Sequence, residues 1–379
     1  MTNPLRQLEA ARQAVWLDYL HRKILENGEL KRLIDEDGIK GLTSNPSIFE
    51  KAIGEGDTYD ESVQAALKTT DGSPNAIYER LAIADIQDAA DIFRPTWDRL
   101  GGRDGFASLE VSPRLANDTE ATIAEARRLW RAVDRPNLMI KVPGTRAGTP
   151  AIRQLIGEGV NVNVTLLFGV GAYLDVAEAH IHGLQAAKAA GLDVSRIHGV
   201  ASFFVSRIDT KIDKAIDARL AQSPAPDEAL RLKRLRGKIG IANAKRAYQR
   251  YLEIIETPQW KALAEAGATP QRVLWASTGV KDPSYPDTLY ADELIGPDTI
   301  DTLPPATIDA FRDHGTVSES LTRGVAEAEH DLAEAEGLGL DLDTVTDSLV
   351  VEGVEQFAKA FDALLKAVAD KRAQMAGAA

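Results

Sequence analysis

The chain has 379 residues, 44% of them hydrophobic and 27% charged, with no cysteine and a formal net charge of −13. Such a length can bury a sizeable core, and the missing cysteine excludes disulfides, thiolate catalysis and cysteine metal sites. With 57 acidic against 44 basic residues, a broad nucleic-acid face is not expected, because phosphate contacts need a basic surface.

The opening stretch "MTNPLRQLEAARQAVWLDYL" carries charges throughout and no unbroken apolar core, so it reads as neither signal peptide nor membrane anchor. No later run approaches the ~20 apolar residues of a membrane span. A soluble, cytoplasmic protein without a membrane partner is the expectation.

Short strand-like runs alternate with long segments of helical periodicity, the pattern of βαβ units. Strands are predicted at Ala14 to Asp18, Gly38 to Thr43, Phe106 to Val111, Leu138 to Val142, Val160 to Leu166, Gly199 to Phe204, Val273 to Ala276 and Thr299 to Thr302. Eight is the number that closes a (β/α)₈ barrel, an α/β TIM-barrel fold. An open doubly wound sheet is the alternative, but no G-x-G-x-x-G or P-loop fingerprint follows any of these strands.

Between the strands, a helix is expected from Ser73, with Ser73 as N-cap and Pro74 in the first turn, and another from the Thr149-Pro150 start. The run 227–267 reads as an outer helical insertion, and 305–379 as a helical C-terminal extension ending in a fraying "DKRAQMAGAA". The stretch from Tyr285 to Pro305 reads as an ordered loop. No linker divides the chain, so one domain over 1–379 is expected.

In "NLMIKVPGT" a lysine, Lys141, sits inside an apolar run that stops at a Pro-Gly turn. In a barrel, the carboxyl end of a strand is the catalytic face, and a desolvated lysine has its charged form disfavoured. A neutral amine in a dry pocket attacks carbonyl carbons and forms a Schiff base. Taken alone, the pattern fits equally a snorkelling or salt-bridged lysine. Other strand ends carry polar residues at the same address: Asp18 in "WLDYL", Glu110 in "SLEVSP", and Thr43, Ser44 and Asn45 in "GLTSNPSIF". In "VNVNVTLLF", Asn161, Asn163 and Thr165 share one face by alternation, while "VASFFVSRID" supplies Ser202 and Arg207. Two carboxylates near an amine suit general acid-base work. Two neighbouring histidines, His180 and His182, lie two apart on a predicted helix, so surface or packing roles are expected and no metal site.

"GLTSNPSIF" and "LMIKVPGT" resemble the two signatures of transaldolases, and "WLDYL", "SLEVSP", "NVTLLF" and "VASFFVSRID" follow in that family's order, covering about residues 14 to 280. The resemblance implies a (β/α)₈ barrel that moves a dihydroxyacetone unit from sedoheptulose 7-phosphate to glyceraldehyde 3-phosphate, giving erythrose 4-phosphate and fructose 6-phosphate. It implies Lys141 as Schiff-base nucleophile, Asp18 as the base for the C4 hydroxyl, and Glu110 with Thr165 as a proton shuttle through water. It also places Asn45, Asn163 and Ser202 around the dihydroxyacetone hydroxyls, with Thr43 and Ser44 beside them and Phe204 on the pocket wall. No cofactor is implied, since an iminium takes up the electrons released by cleavage.

For the phosphate, the resemblance implies Arg207 and a serine followed two residues later by arginine. Here "WASTGVKDP" gives Ser277, Gly279 and then Lys281, so Lys281 is the candidate for the second cation. This form resembles the longer bacterial branch of transaldolases, and a monomer or a homodimer is expected. A lysine aldolase of the same fold and a non-catalytic sugar-phosphate binding barrel are the competing readings.

Overall fold

Eight short, largely apolar runs form parallel strands: β1 (Ala14–Leu17), β2 (Gly41–Thr43), β3 (Phe106–Glu110), β4 (Leu138–Pro143), β5 (Val162–Leu167), β6 (Gly199–Phe204), β7 (Arg272–Ala276) and β8 (Ile300–Leu303). The computed structural model describes residues 3–54 and 56–377. The strands pair in chain order and β8 returns to β1, so the sheet closes as the predicted (β/α)₈ barrel. All eight predicted strands are present, with ends displaced by a few residues.

Alternation decides what fills the barrel. Val142, Val162, Val164 and Ala201 join the outer core under the helices, whereas Trp16, Phe106, Met139, Val200, Leu274 and Ile300 form a separate cluster with the barrel interior. Trp16 is fully buried and its ring requires a glycine opposite: a Cβ on Gly41 would stand 2.6 Å from it. The barrel is thus packed through its middle, with a cavity at its upper end and another at its lower end beside Phe106, Met139 and Arg272.

The helix Pro74–Arg99 begins as expected, Ser73 Oγ accepting from Ala76 N at 3.2 Å. The helix Gly148–Gly157 starts one residue before Thr149, because Thr145 Oγ1 accepts from Gly148 N at 3.0 Å and sets the first turn there. Between β6 and β7 run the helices Ser206–Leu220, Pro226–Leu235, Ile239–Glu256 and Pro258–Ala264. The loop after β7 includes a short helix, Leu289–Glu293, before β8.

After β8 come Pro305–His314, Val325–Gly337 and a long final helix, Leu342–Gly377. The far end of that helix does not fray within the described residues: Lys371 Nζ donates to Gly56 O at 2.7 Å and Arg372 Nη1 to Gly72 O at 2.6 Å. Ala378 and Ala379, the last of the expected fraying segment, lie outside the described residues. No described helix is long and apolar enough to cross a membrane.

Candidate active site

Strand register puts the central groups side by side. Glu110 on β3 pairs with Lys141 on β4, and Lys141 pairs with Asn163 on β5. Lys141 is only 5% exposed; its Nζ donates to the Ser44 carbonyl at 3.1 Å and stands 3.4 Å from Glu110 Oε2. Sequence reading ends the strand just beyond Lys141, but β4 continues to Pro143, held by Gly144 N donating to Thr165 O at 2.7 Å. Lys141 therefore sits one pleat below the strand end, deeper in the barrel than a terminal residue. Glu110 is buried, and apart from the lysine its carboxyl oxygens have no hydrogen-bond partner among the described residues. Burial pushes its carboxyl up from the ordinary range, with Lys141 pulling against it.

Asp18 follows β1 on the other side of the mouth. Thr43 Oγ1 donates to Asp18 Oδ1 at 2.8 Å and lies 3.0 Å from Thr302 Oγ1. Burial again pushes the carboxyl up, while Lys141, the Thr43 hydroxyl, Lys281 and Arg207 oppose the shift in that order. Both carboxyls are thus biased toward holding a proton beside a fixed amine.

The expected polar residues divide into those that line the cavity and those behind it. A cavity of about 190 Å³ is lined by Asp18, Thr43, Asn45, Lys141, Thr165, Ser202, Phe204, Arg207, Ser277 and Lys281. Asn45 also caps a helix, its Oδ1 accepting from Ile48 N at 3.1 Å. Asn163 is fully buried behind the wall: its Nδ2 donates to Ser108 Oγ at 3.2 Å and its Oδ1 accepts from Ser202 Oγ at 2.7 Å. Ser44 presents its backbone carbonyl to Lys141, while its hydroxyl donates to Ser108 O at 2.8 Å and does not line the cavity. Glu110 contacts the cavity's lysine from the side and lines a second cavity of about 270 Å³ toward the helices. Of these two cavities, the smaller is the one lined by Lys141. Asn161, expected on the same face as Asn163, lies lower and laces strands together, donating to Leu138 O and accepting from His198 N.

Cations gather on one side of the mouth. Arg207, in the first turn of the helix Ser206–Leu220, lies with its guanidinium carbon 5.4 Å from the Phe204 ring centre and forms no ion pair with a carboxylate among the described residues. Ser277 has a left-handed backbone, φ 56°, and its hydroxyl lies 3.0 Å from Ser206 Oγ. Lys281 is exposed, lines the same cavity and makes no ion pair among the described residues. Arg207 and Lys281 thus make a local basic patch at the mouth of an acidic protein.

Three further residues complete the mouth. Thr302 lines the cavity from β8, where the threonine of a short strand end was a readable signal by alternation. Phe357 and Gln356 arrive from the final helix: the Phe357 ring centre is 6.0 Å from Lys141 Nζ, and Gln356 Oε1 accepts from Arg207 Nη1 at 2.9 Å. Nothing local in the sequence marks them, since an aromatic on an amphipathic helix reads as ordinary core.

Of the histidines on the helix Val170–Ala189, His180 is buried and its pKa is pushed down to about 4 by that burial, while His182 is partly exposed beside Glu178. No group of three metal-ligating side chains occurs among the described residues.

A buried amine flanked by two carboxyls at the carboxyl-terminal mouth of a (β/α)₈ barrel is the equipment of an enzyme that handles carbonyl compounds. The profile of the family described as Transaldolase/Fructose-6-phosphate aldolase matches residues 15–368, and the chain belongs to that family. It is 49% identical to "Transaldolase 2" of Nostoc sp. over 97% of each chain. It is 49% identical to "Transaldolase 2" of Streptomyces coelicolor over 97% of this chain and 96% of that one. To "Transaldolase" of Thermobifida fusca it is 48% identical, over 98% and 99% respectively.

Proposed function

We propose that this chain, as a single domain, is a transaldolase that moves a dihydroxyacetone unit between sugar phosphates, from sedoheptulose 7-phosphate to glyceraldehyde 3-phosphate. The observation that supports this best is the Lys141 amine, buried at the floor of a small cavity with Glu110 3.4 Å away and cations on the rim.

In this reading Lys141 Nζ attacks the C2 carbonyl of the ketose phosphate, and the carbinolamine loses water to give an iminium. Glu110, biased by burial toward its protonated form, supplies the proton that the departing hydroxyl needs, with Thr165 beside the path. Asp18 then takes the proton of the C4 hydroxyl. The C3–C4 bond breaks, its electron pair moves into the iminium as an enamine, and the aldose phosphate leaves. The acceptor aldehyde takes its place, the bond forms in reverse, and water hydrolyses the new iminium. The iminium is the electron sink, so the reaction calls for neither metal nor organic cofactor.

Binding follows the same division. Asn45, Ser202 and, through Ser202, Asn163 hold the dihydroxyacetone hydroxyls; Thr43 orients Asp18 through its 2.8 Å hydrogen bond. Arg207, Ser277 and Lys281 hold the phosphate of the departing and arriving aldose. Phe204 and Phe357 wall the cavity and limit water near the intermediate. A cytoplasmic setting fits these substrates.

Borohydride reduction in the presence of fructose 6-phosphate, followed by peptide mass spectrometry, tests the reading. A reduced three-carbon adduct on the peptide containing Lys141 is expected; no adduct, or one on another lysine, removes Lys141 as nucleophile. The same incubation without acceptor separates transfer from aldol cleavage: sustained release of free dihydroxyacetone over many turnovers marks an aldolase instead.

A further inference from the structure

We propose that Gln356, on the final helix, is a positioning residue that holds Arg207 toward substrate phosphate without neutralising it; this rests on Arg207 being the phosphate ligand. The contact is Arg207 Nη1 donating to Gln356 Oε1 at 2.9 Å. A guanidinium has only donors, so the amide must present its oxygen. Most arginines near the surface here pair with carboxylates, such as Arg246 with Glu329 and Arg231 with Glu334. A carboxylate at position 356 would satisfy the same geometry but would cancel the charge and compete with a phosphate for the same N–H groups. A neutral amide fixes direction and leaves the full positive charge for a ligand.

The brace is itself anchored. One turn along each helix, Lys211 Nζ donates to Ser348 Oγ at 2.7 Å and pairs with Glu352, so the helix Ser206–Leu220 and the final helix are joined at two successive levels. Gly353 lets the final helix approach closely, since a Cβ there would stand 2.9 Å from the Leu166 side chain. Phe357, the residue after Gln356, reaches the Lys141 cavity, so the same turn of helix that orients the phosphate cation also covers the amine.

Gln356 is exposed, so its substitution tests function rather than folding. For Gln356→Glu, KM for fructose 6-phosphate is expected to rise about tenfold with kcat within about twofold, and Gln356→Ala should give a smaller rise of the same kind. With unphosphorylated fructose as donor, kcat/KM should move less than about twofold. Equal losses with both donors, or no change with either, would overturn the brace. Arg207→Ala is the control for the underlying assignment. If that variant leaves the phosphorylated and unphosphorylated donors equally served, the phosphate role of Arg207 fails; if it discriminates while Gln356→Glu does not, only the brace fails.

Discussion

The two ends of one barrel use similar residue types in opposite ways. At the lower end, Arg272 donates to Asp104 at 3.0 and 3.1 Å and to the Arg103 carbonyl at 2.6 Å, while Trp16 Nε1 donates to Asp104 at 3.0 Å. Arginine, carboxylate and indole are all satisfied within the protein. At the upper end, the Lys141 and Glu110 pair stands at a looser 3.4 Å, and the Thr165 hydroxyl and Glu110 oxygens have no hydrogen-bond partner among the described residues. Buried polar groups without partners cost stability, and they also occur away from the mouth, as at Asn137, Gln271 and Trp275; those at the mouth differ in standing beside the Lys141 amine and its cavity. Unpartnered polar groups beside a buried amine and a cavity, more than polar groups as such, set the mouth apart from the Arg272 cluster.

The sharpest break in that comparison is Lys141→Ala. Turnover is expected to fall by about 10⁴-fold or more, since the covalent route is lost, with the thermal transition little changed; retained turnover with the natural donor would reassign the nucleophile. Asp18→Asn should still form the borohydride-trappable adduct but cleave about 10²–10⁴-fold more slowly. Burial raises the Asp18 carboxyl, so the group is protonated up to a higher pH than an ordinary aspartate. As the base in cleavage it must be ionised, and the acid limb of the single-turnover cleavage rate should therefore lie above the ordinary aspartate range. An acid limb at the usual aspartate position would mean that burial does not raise the Asp18 carboxyl in the adduct. The reverse outcome is expected at the lower end: Arg272→Leu leaves the Asp104 charge buried with only the Trp16 indole as partner, costing about 3–5 kcal/mol in denaturant unfolding. The folded enzyme's kcat should stay within about twofold, and a large kcat loss at full stability would erase the distinction between the two ends.

Strand alternation made much of this readable in advance. Eight strand runs separated by helices gave the barrel, and alternation within "VNVNVTLLF" placed Asn163 and Thr165 on the inward face. What alternation cannot report is depth. Asn163 and Thr165 lie on one face two residues apart, yet one is sealed behind Ser202 and the other lines the cavity, because strand tilt sets the layers. Ser44 faces away from the cavity because its hydroxyl found Ser108 O across the strand, a partner far apart in sequence. Gln356 and Phe357 were illegible for the same reason: their role depends on where a 36-residue helix returns over the mouth, which no local pattern encodes.

The smallest effect concerns a carboxyl that belongs to neither end. Asp301, on β8, is 1% exposed and its Oδ1 has no hydrogen-bond partner among the described residues; burial pushes its pKa up from 3.8 to about 7, with Thr278 opposing. Because the folded value lies above the unfolded one, the folded chain binds this proton more tightly. The resulting stability is fully present below pH 4 and is lost as pH rises toward 7. Asp301→Asn removes the ionisable group at nearly constant shape. Relative to the parent, the variant should therefore be close to neutral at pH 4 and more stable by about 1–3 kcal/mol at pH 8, the amide's own imperfect partners taking back part of the gain. Urea unfolding at the two pH values measures the difference. Asp301 lies outside the reaction cavity, and a gain that is equal at both pH values would mean that its carboxyl titrates alike in the folded and unfolded chain and is not raised by burial. A loss at pH 8 would mean that the carboxylate is held charged in the folded chain by a partner, and that Asp301 belongs with the satisfied groups of the scaffold.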